Sequence, residues 1–279
     1  MMWGLIFGYN RVTDGFSIRE MTSSLPHDSG AEMAPLPESQ KEELGQILDQ
    51  TYRYIGKGCQ FYAFESADQQ YVLKFFKHKH LRPLSWLKQI PMTTKWRTTC
   101  DEKIVKREER VRNLFASCQL AYEELPEETG ILYLHLNRLP AVERAITLID
   151  KLGFKHQIQL DDFEFVLQKK ATQLNTAFSE IQDDEEMRAR VQQLVDLVVL
   201  RCEKGIRDRD RSFAQNVAFC VGEPRAIFID IGQFYKDPTI LQPEERQQDL
   251  KRRLGNLRFW TERHYPALLP VVDEEISKL

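Results

Sequence analysis

The chain lacks an apolar run long enough to cross a bilayer. Its opening stretch, Met1 to Tyr9, is apolar but far shorter than the roughly 20 residues a spanning helix needs, and no basic flank precedes it. It reads as neither a transmembrane segment nor a secretory leader, which leaves a short anchor for a membrane or a partner as its functional reading. Paired cysteines are also missing. Cys59, Cys100, Cys118, Cys202 and Cys220 are odd in number and scattered, with no CxxC spacing. That pattern speaks against a disulfide framework or a zinc site and for free thiols in the cytoplasm. There is little excess charge of one sign: 39 Lys and Arg against 42 Asp and Glu give a net −3, so composition makes no case for a specific nucleic-acid partner. With 42% apolar and 29% charged residues, the composition fits neither a disordered nor a membrane-embedded chain.

What is present is a change of pattern along the chain. Residues 10–40 are rich in Ser, Pro, Gly and acidic groups without a sustained period and read as a flexible tail. From Thr51 the pattern becomes extended: Tyr52 to Ile55, Gln60 to Glu65 and Tyr71 to Phe76 are aromatic-rich, separated by turns at Gly56 to Gly58 and Ala67 to Gln70, which predicts a three-stranded antiparallel meander. Residues 77–98 carry Lys77, Lys79, Arg82, Lys88, Lys95 and Arg97 without one acidic residue. They read either as a solvated connector or as a contact for an anionic surface, into which Trp86 and Leu87 would dip. Helical spacing follows over 101–122, then strands at 131–136, 146–149, 156–160 and 163–167, with a hairpin at Lys151 to Gly153. Asp183 with Glu186 forms a capping box ahead of a core helix through Met187, Val191, Leu194, Val195 and Val198. Short strands at 217–220 and 226–229 and a charged helix from Pro243 complete the reading.

Four features carry chemistry, and each has a bland counterpart. Gly56 and Gly58 at a turn leave backbone amides open to phosphate oxygens, although glycines in hairpins usually serve the turn alone. Lys74 interrupts the run Tyr71-Val72-Leu73-Lys74-Phe75-Phe76, and a lysine inside a buried strand needs a partner unless it sits on a solvated face. Asp208, Asp210 and Asn216 occupy a polar loop after an apolar helix, and Asp230 follows directly on the apolar strand ending at Ile229. An aspartate and an asparagine on neighbouring loops offer the hard oxygen ligands that magnesium takes alongside nucleotide phosphates, while singly each is an ordinary turn or capping residue.

The order of these four resembles the protein-kinase-like superfamily over most of residues 50–235. Ile55-Gly-Lys-Gly-Cys-Gln-Phe61 and Lys74 are similar to the glycine-rich loop and the strand-three lysine, and the Asp/Asn loop with Asp230-Ile-Gly232 is similar to the HRDxxxxN and DFG motifs. The resemblance implies an α+β, two-lobed protein-kinase-like fold: an antiparallel sheet N-lobe with one main helix over 41–170, and a reduced helical C-lobe over 171–279, after a tail at 1–40. It implies ATP and Mg2+ as cofactors. Gly56 and Gly58 would cover the phosphates, Lys74 would pair with them, Glu108 on the inward helix stripe would pair with Lys74, Asn216 and Asp230 would hold the metal, and Asp208 or Asp210 would orient the acceptor hydroxyl.

Departures qualify the resemblance. Phe61 replaces the third glycine. Arg207 and Arg209 stand where a histidine would precede the aspartates. Counting back from Asn216, the family's spacing falls on Arg211, so Asp210 is one residue too far and needs a bulge. No APE-like segment follows Asp230. These features point to an atypical kinase of the RIO or aminoglycoside-phosphotransferase kind with an unidentified acceptor; the alternatives are a pseudokinase acting as a binding module and a scaffold peripheral to a membrane.

Overall fold

The structure, a computed structural model, describes residues 11–25, 28, 30, 32–33, 36–84, 87, 90–91, 93–137, 140–210 and 212–279. The Met1 to Tyr9 run, Trp86, Lys88 and Arg211 lie outside these residues. Among the described residues no helix is long and apolar enough to cross a membrane. The chain divides into two units, one of residues 1–116 and 132–168, the other of 117–131 and 169–279.

Unit 1 is built on a seven-stranded sheet. Its strands are β1 (Thr51–Lys57), β2 (Phe61–Ser66), β3 (Tyr71–Phe76), β4 (Ile131–His135), β5 (Ala145–Ile149), β6 (Lys155–Gln159) and β7 (Phe165–Lys169), in the order β4-β7-β3-β2-β1-β5-β6. β1, β2 and β3 form the antiparallel meander, and the β5–β6 hairpin turns at Lys151 to Gly153. The sheet is not wholly antiparallel, since β5 lies parallel to β1. The long excursion between these two strands supplies the crossover a parallel pair requires. An eleven-residue helix, α1 (Glu38–Leu48), precedes the sheet and buries Leu44, Ile47 and Leu48.

The segment read as a flexible tail holds part of this core. Phe16 and Met21 are buried, and the Phe16 ring lies 5.4 Å from both Tyr62 and Phe64 in edge-on geometry. Tyr62 donates to the Gly15 carbonyl at 2.7 Å and Lys57 to the Asp14 carbonyl at 2.7 Å, so residues 14–16 are strapped to β1 and β2. Sparse apolar residues among Ser, Gly and Asp carry no period, yet one aromatic ring buries enough area to anchor such a strap.

The 31-residue helix α2 (Thr94–Glu124) begins in unit 1, and its last turns belong to unit 2. Unit 2 continues with β8 (Ala171–Gln173), α3 (Leu174–Glu180), α4 (Asp184–Glu203), β9 (Ile206–Asp208), β10 (Val217–Cys220), β11 (Ala226–Phe228), β12 (Phe234–Lys236), α5 (Pro243–His264) and α6 (Leu269–Ser277). Asp183 caps α4 by accepting the Glu186 N–H at 3.2 Å, and Val191, Leu194, Val195 and Val198 face the core as their spacing requires. α4, α5 and α6 pack on one another, and β8, β10 and β11 form a small antiparallel sheet. The chain is therefore mixed α+β, with one sheet-rich and one mainly helical unit.

Candidate active site

In unit 1 the glycine turn and the strand lysine take different environments. Gly56 pairs with Ala63 next to a register shift, and Gly58 closes the hairpin through its N–H to the Phe61 carbonyl at 3.0 Å. A Cβ at either glycine would meet nothing within 4 Å, so protein packing does not dictate glycine there. Lys74 stands opposite Ala63, half-buried, between buried Leu73 and Phe75. Phe61, in the place of a third glycine, is a core residue packed against Phe76 in tilted geometry, with ring centroids 4.7 Å apart.

Glu108 does not lie on the inward stripe. It is exposed, because the buried positions Ile104, Leu114, Phe115, Cys118 and Ala121 rotate the helix face toward Arg107 and Val111. Lys77, which the sequence shows only as the first residue of a basic stretch, is the buried cation beside the glycine turn. Its ammonium donates to the Gly58 carbonyl and lies 4.7 Å over the Tyr62 ring; burial, reinforced by Lys57, pushes its pKa down to about 8. Other parts of the basic stretch also serve their own chain. Arg82 donates to the Arg19 carbonyl at 2.9 Å, and Arg97 to the carbonyls of Leu87 and Ile90 at 3.0 and 2.6 Å. Lys79, Lys95 and Trp96 are exposed.

In unit 2 backbone pairing sets Asn216 beside the chain that leads into Asp230. β10 and β11 are antiparallel with Val217 opposite Phe228, and the Ile229 N–H donates to the Asn216 carbonyl at 2.8 Å. The ladder thus sets Asn216 beside the chain that continues into Asp230. Asp230 is half-buried, with Oδ1 accepting the Gly232 N–H at 3.2 Å. This loop is braced from α2, since the buried Ser117 hydroxyl donates to the Ile231 carbonyl and accepts the Phe234 N–H, both at 2.6 Å.

Asp208 and Asp210 part company. Asp208 ends β9, which pairs with β12, and it is buried; its Oδ1 accepts the Asp210 N–H at 2.8 Å and its Oδ2 lies 3.6 Å from Arg253. Burial raises its pKa despite the nearby Arg253. Asp210 is half-exposed. Burial alone would raise its pKa, but the Ser212 N–H, the Asn216 side chain and the Ser212 hydroxyl outweigh it and hold the carboxyl below its ordinary value. Arg253 donates to the main-chain carbonyls of both Asp208 and Asp210 and so fixes the turn between them. Arg207 pairs with Asp237 at 2.8 Å, and Arg209 lies 4.4 Å over the Tyr235 ring.

Asp230 and Asn216 carry the oxygen types that magnesium takes when phosphates complete its shell. Asp230 supplies an anionic oxygen and Asn216 an amide oxygen, and the Asn216 side chain lies close enough to the Asp210 carboxyl to help lower its pKa. Among the described residues no cluster of three or more His, Cys, Asp or Glu forms a metal cage; magnesium, which is commonly held by one or two carboxylates plus substrate phosphates, does not need one.

No family model matches the chain, and no curated protein matches it. Solved structures of WbdD are similar to it: one at 14% identity and TM-score 0.38, covering 81% of this chain and 45% of that one. A co-crystal structure of WbdD with a kinase inhibitor matches at 13% and 0.38 over 81% of this chain and 46% of that one. A third, of the bifunctional kinase-methyltransferase WbdD, matches at 13% and 0.37 over 79% and 43%. The chain spans less than half the length of these structures. A likeness this slight defines neither fold nor chemistry.

Proposed function

We propose that the protein is an atypical kinase-like phosphotransferase that binds ATP with Mg2+ and moves the γ-phosphate to a hydroxyl acceptor. The observation that carries this reading is the β10–β11 ladder: it sets Asn216 beside the chain that runs into Asp230, while the Asn216 side chain helps hold Asp210 below its ordinary carboxylate range. In this reading Asn216 and Asp230 hold the metal, which neutralises charge on the phosphates when bound. Asp210, the accessible carboxylate, orients the acceptor hydroxyl and takes its proton; Asp208, paired with Arg253 and capping the Asp210 N–H, is a positioning residue. Lys74 and the backbone at Gly56 and Gly58 are assigned to the nucleotide phosphates by their resemblance to the family motifs. A binding module without turnover is the second reading, favoured by the buried Phe61 in place of a glycine and by the six-residue step from Asp210 to Asn216.

Thermal unfolding with ATP and Mg2+ tests the proposal. Ligand at a hundredfold over its dissociation constant adds about 2.7 kcal/mol, a rise of several degrees for a chain of this size. The wild type should show the rise, and Lys74→Ala and Asp230→Ala should lose most of it. An unshifted wild type removes nucleotide binding altogether. A shift without phosphate release selects the binding module.

A further inference from the structure

Over residues 94–113 of α2 Ile104 alone is buried, and Lys95, Trp96, Thr99, Lys103, Lys106 and Arg110 are all exposed. With about 3.6 residues per turn, these six exposed side chains fall within an arc of about 100°. Asp101, Glu102, Glu108 and Glu109, the acids of the same stretch, all fall outside that arc. The basic row runs about 22 Å from Lys95 to Arg110 at about 1.5 Å per residue.

Sorting the charges in this way works against the helix. Lys103 and Lys106, three apart, and Lys106 and Arg110, four apart, are like-charge neighbours, which destabilise an exposed helix. Among the described residues none of Lys95, Lys103, Lys106 and Arg110 forms an ion pair, although Glu102 stands one helical turn before Lys106; Lys41, Lys57 and Lys151 of the same unit each pair with a carboxylate. A face that needed only water would gain by interleaving the two signs, whereas repulsion within a row of one sign is relieved by an anionic partner.

Apolar side chains stand at one end of the row. Trp96 is 67% exposed and Ile90 38%, and Ile90 is fixed against the first turn of α2 by the Arg97 guanidinium, which donates to its carbonyl at 2.6 Å. Tryptophan beside lysine suits a membrane–water interface, where the ring sits at headgroup level and the ammonium meets anionic lipid. Ile90 speaks against nucleic acid, since an aliphatic side chain offers a base neither a stacking plane nor a hydrogen bond. We propose that this flank of α2 docks on an anionic phospholipid surface, with Lys95, Lys103, Lys106 and Arg110 against the headgroups and Trp96 and Ile90 in the interface. The contact uses no residue assigned to nucleotide or metal and does not rest on the phosphotransfer reading.

Sedimentation of the full chain with vesicles, in the absence of nucleotide, tests the proposal. Vesicles of phosphatidylcholine with about 30% phosphatidylserine should bind the wild type about tenfold or more better than phosphatidylcholine alone, and added salt should release it. The variant Lys103→Gln/Lys106→Gln/Arg110→Gln should bind the mixed vesicles about tenfold or more weakly at an unchanged melting temperature, because glutamine keeps the helix propensity of lysine and arginine. Lys41→Gln/Lys251→Gln/Lys278→Gln removes the same charge from exposed positions elsewhere and should bind as the wild type does. Trp96→Ala should weaken binding several-fold through lost apolar burial. Equal partitioning of the wild type on the two kinds of vesicle overturns the proposal. So does a row variant that binds like the wild type, a control variant that loses as much as the row variant, or no loss in Trp96→Ala. A wild type that ignores both vesicles and binds a single-stranded oligonucleotide would give the row to nucleic acid and overturn it as well.

Discussion

Arg201→Ala is expected to lower the stability of unit 2 by about 3–5 kcal/mol, the cost of removing one partner from a buried ion pair. Arg201 on α4 and Asp249 on α5 are each 1% exposed and bonded to each other, and Asp249 also accepts Arg252 at 2.6 Å. Burial works to raise the Asp249 pKa; Arg201, Arg252 and Arg253 overcome it and hold the carboxyl below 3.8. A depressed carboxyl adds stability above its unfolded pKa and loses it as pH falls through the folded value, so this contribution disappears on the acid side of pH 3.8. The melting temperature of Arg201→Ala at neutral pH should fall by on the order of 10 °C. The double variant Arg201→Met/Asp249→Leu should recover most of it, because removing both charges also removes the burial penalty. A single variant that melts like the wild type would show that the pair carries little of the helical packing.

The larger kinetic effect is expected at Asp210. On the proposed chemistry, Asp210→Asn removes the group that takes the acceptor proton and should slow phosphate transfer roughly 10²–10⁴-fold. Asp208→Asn keeps an oxygen for the Asp210 N–H, and Arg253 keeps both main-chain carbonyls, so its rate should stay within about tenfold of wild type while its stability changes. Phosphate release from ATP to water, followed by 31P NMR, needs no knowledge of the acceptor. Equal loss in the two variants would mean that the turn as a whole, rather than the Asp210 carboxylate, matters.

Local pattern carried much of the fold. The β1–β3 meander was legible because aromatic and β-branched residues gather between clear turns, and α4 because its capping box and apolar stripe agree. The strands β8, β9 and β12 were not, since three residues cannot display a period. That is why the stretch from Gly205 to Asn216 reads as a loop when Asp208 is buried in a strand pair. The strap at Phe16 and the tie from Arg253 to residues 208 and 210 rest on contacts dozens of residues apart in sequence, beyond any local signal. Glu108 was misplaced by a small error of helix phase, enough to turn a side chain from core to solvent. The pairing of Asn216 with the chain entering Asp230 followed from two short apolar strands that the sequence does show.

Manganese in place of magnesium tests most directly whether Asn216 and Asp230 hold the nucleotide's metal. With ATP present, the wild type should immobilise the ion and broaden its electron paramagnetic resonance spectrum beyond that of Mn2+ with ATP alone, and Asn216→Ala and Asp230→Asn should each abolish the change. A spectrum in Asp230→Asn identical to the wild type's would contradict the metal assignment and the phosphotransfer chemistry built on it.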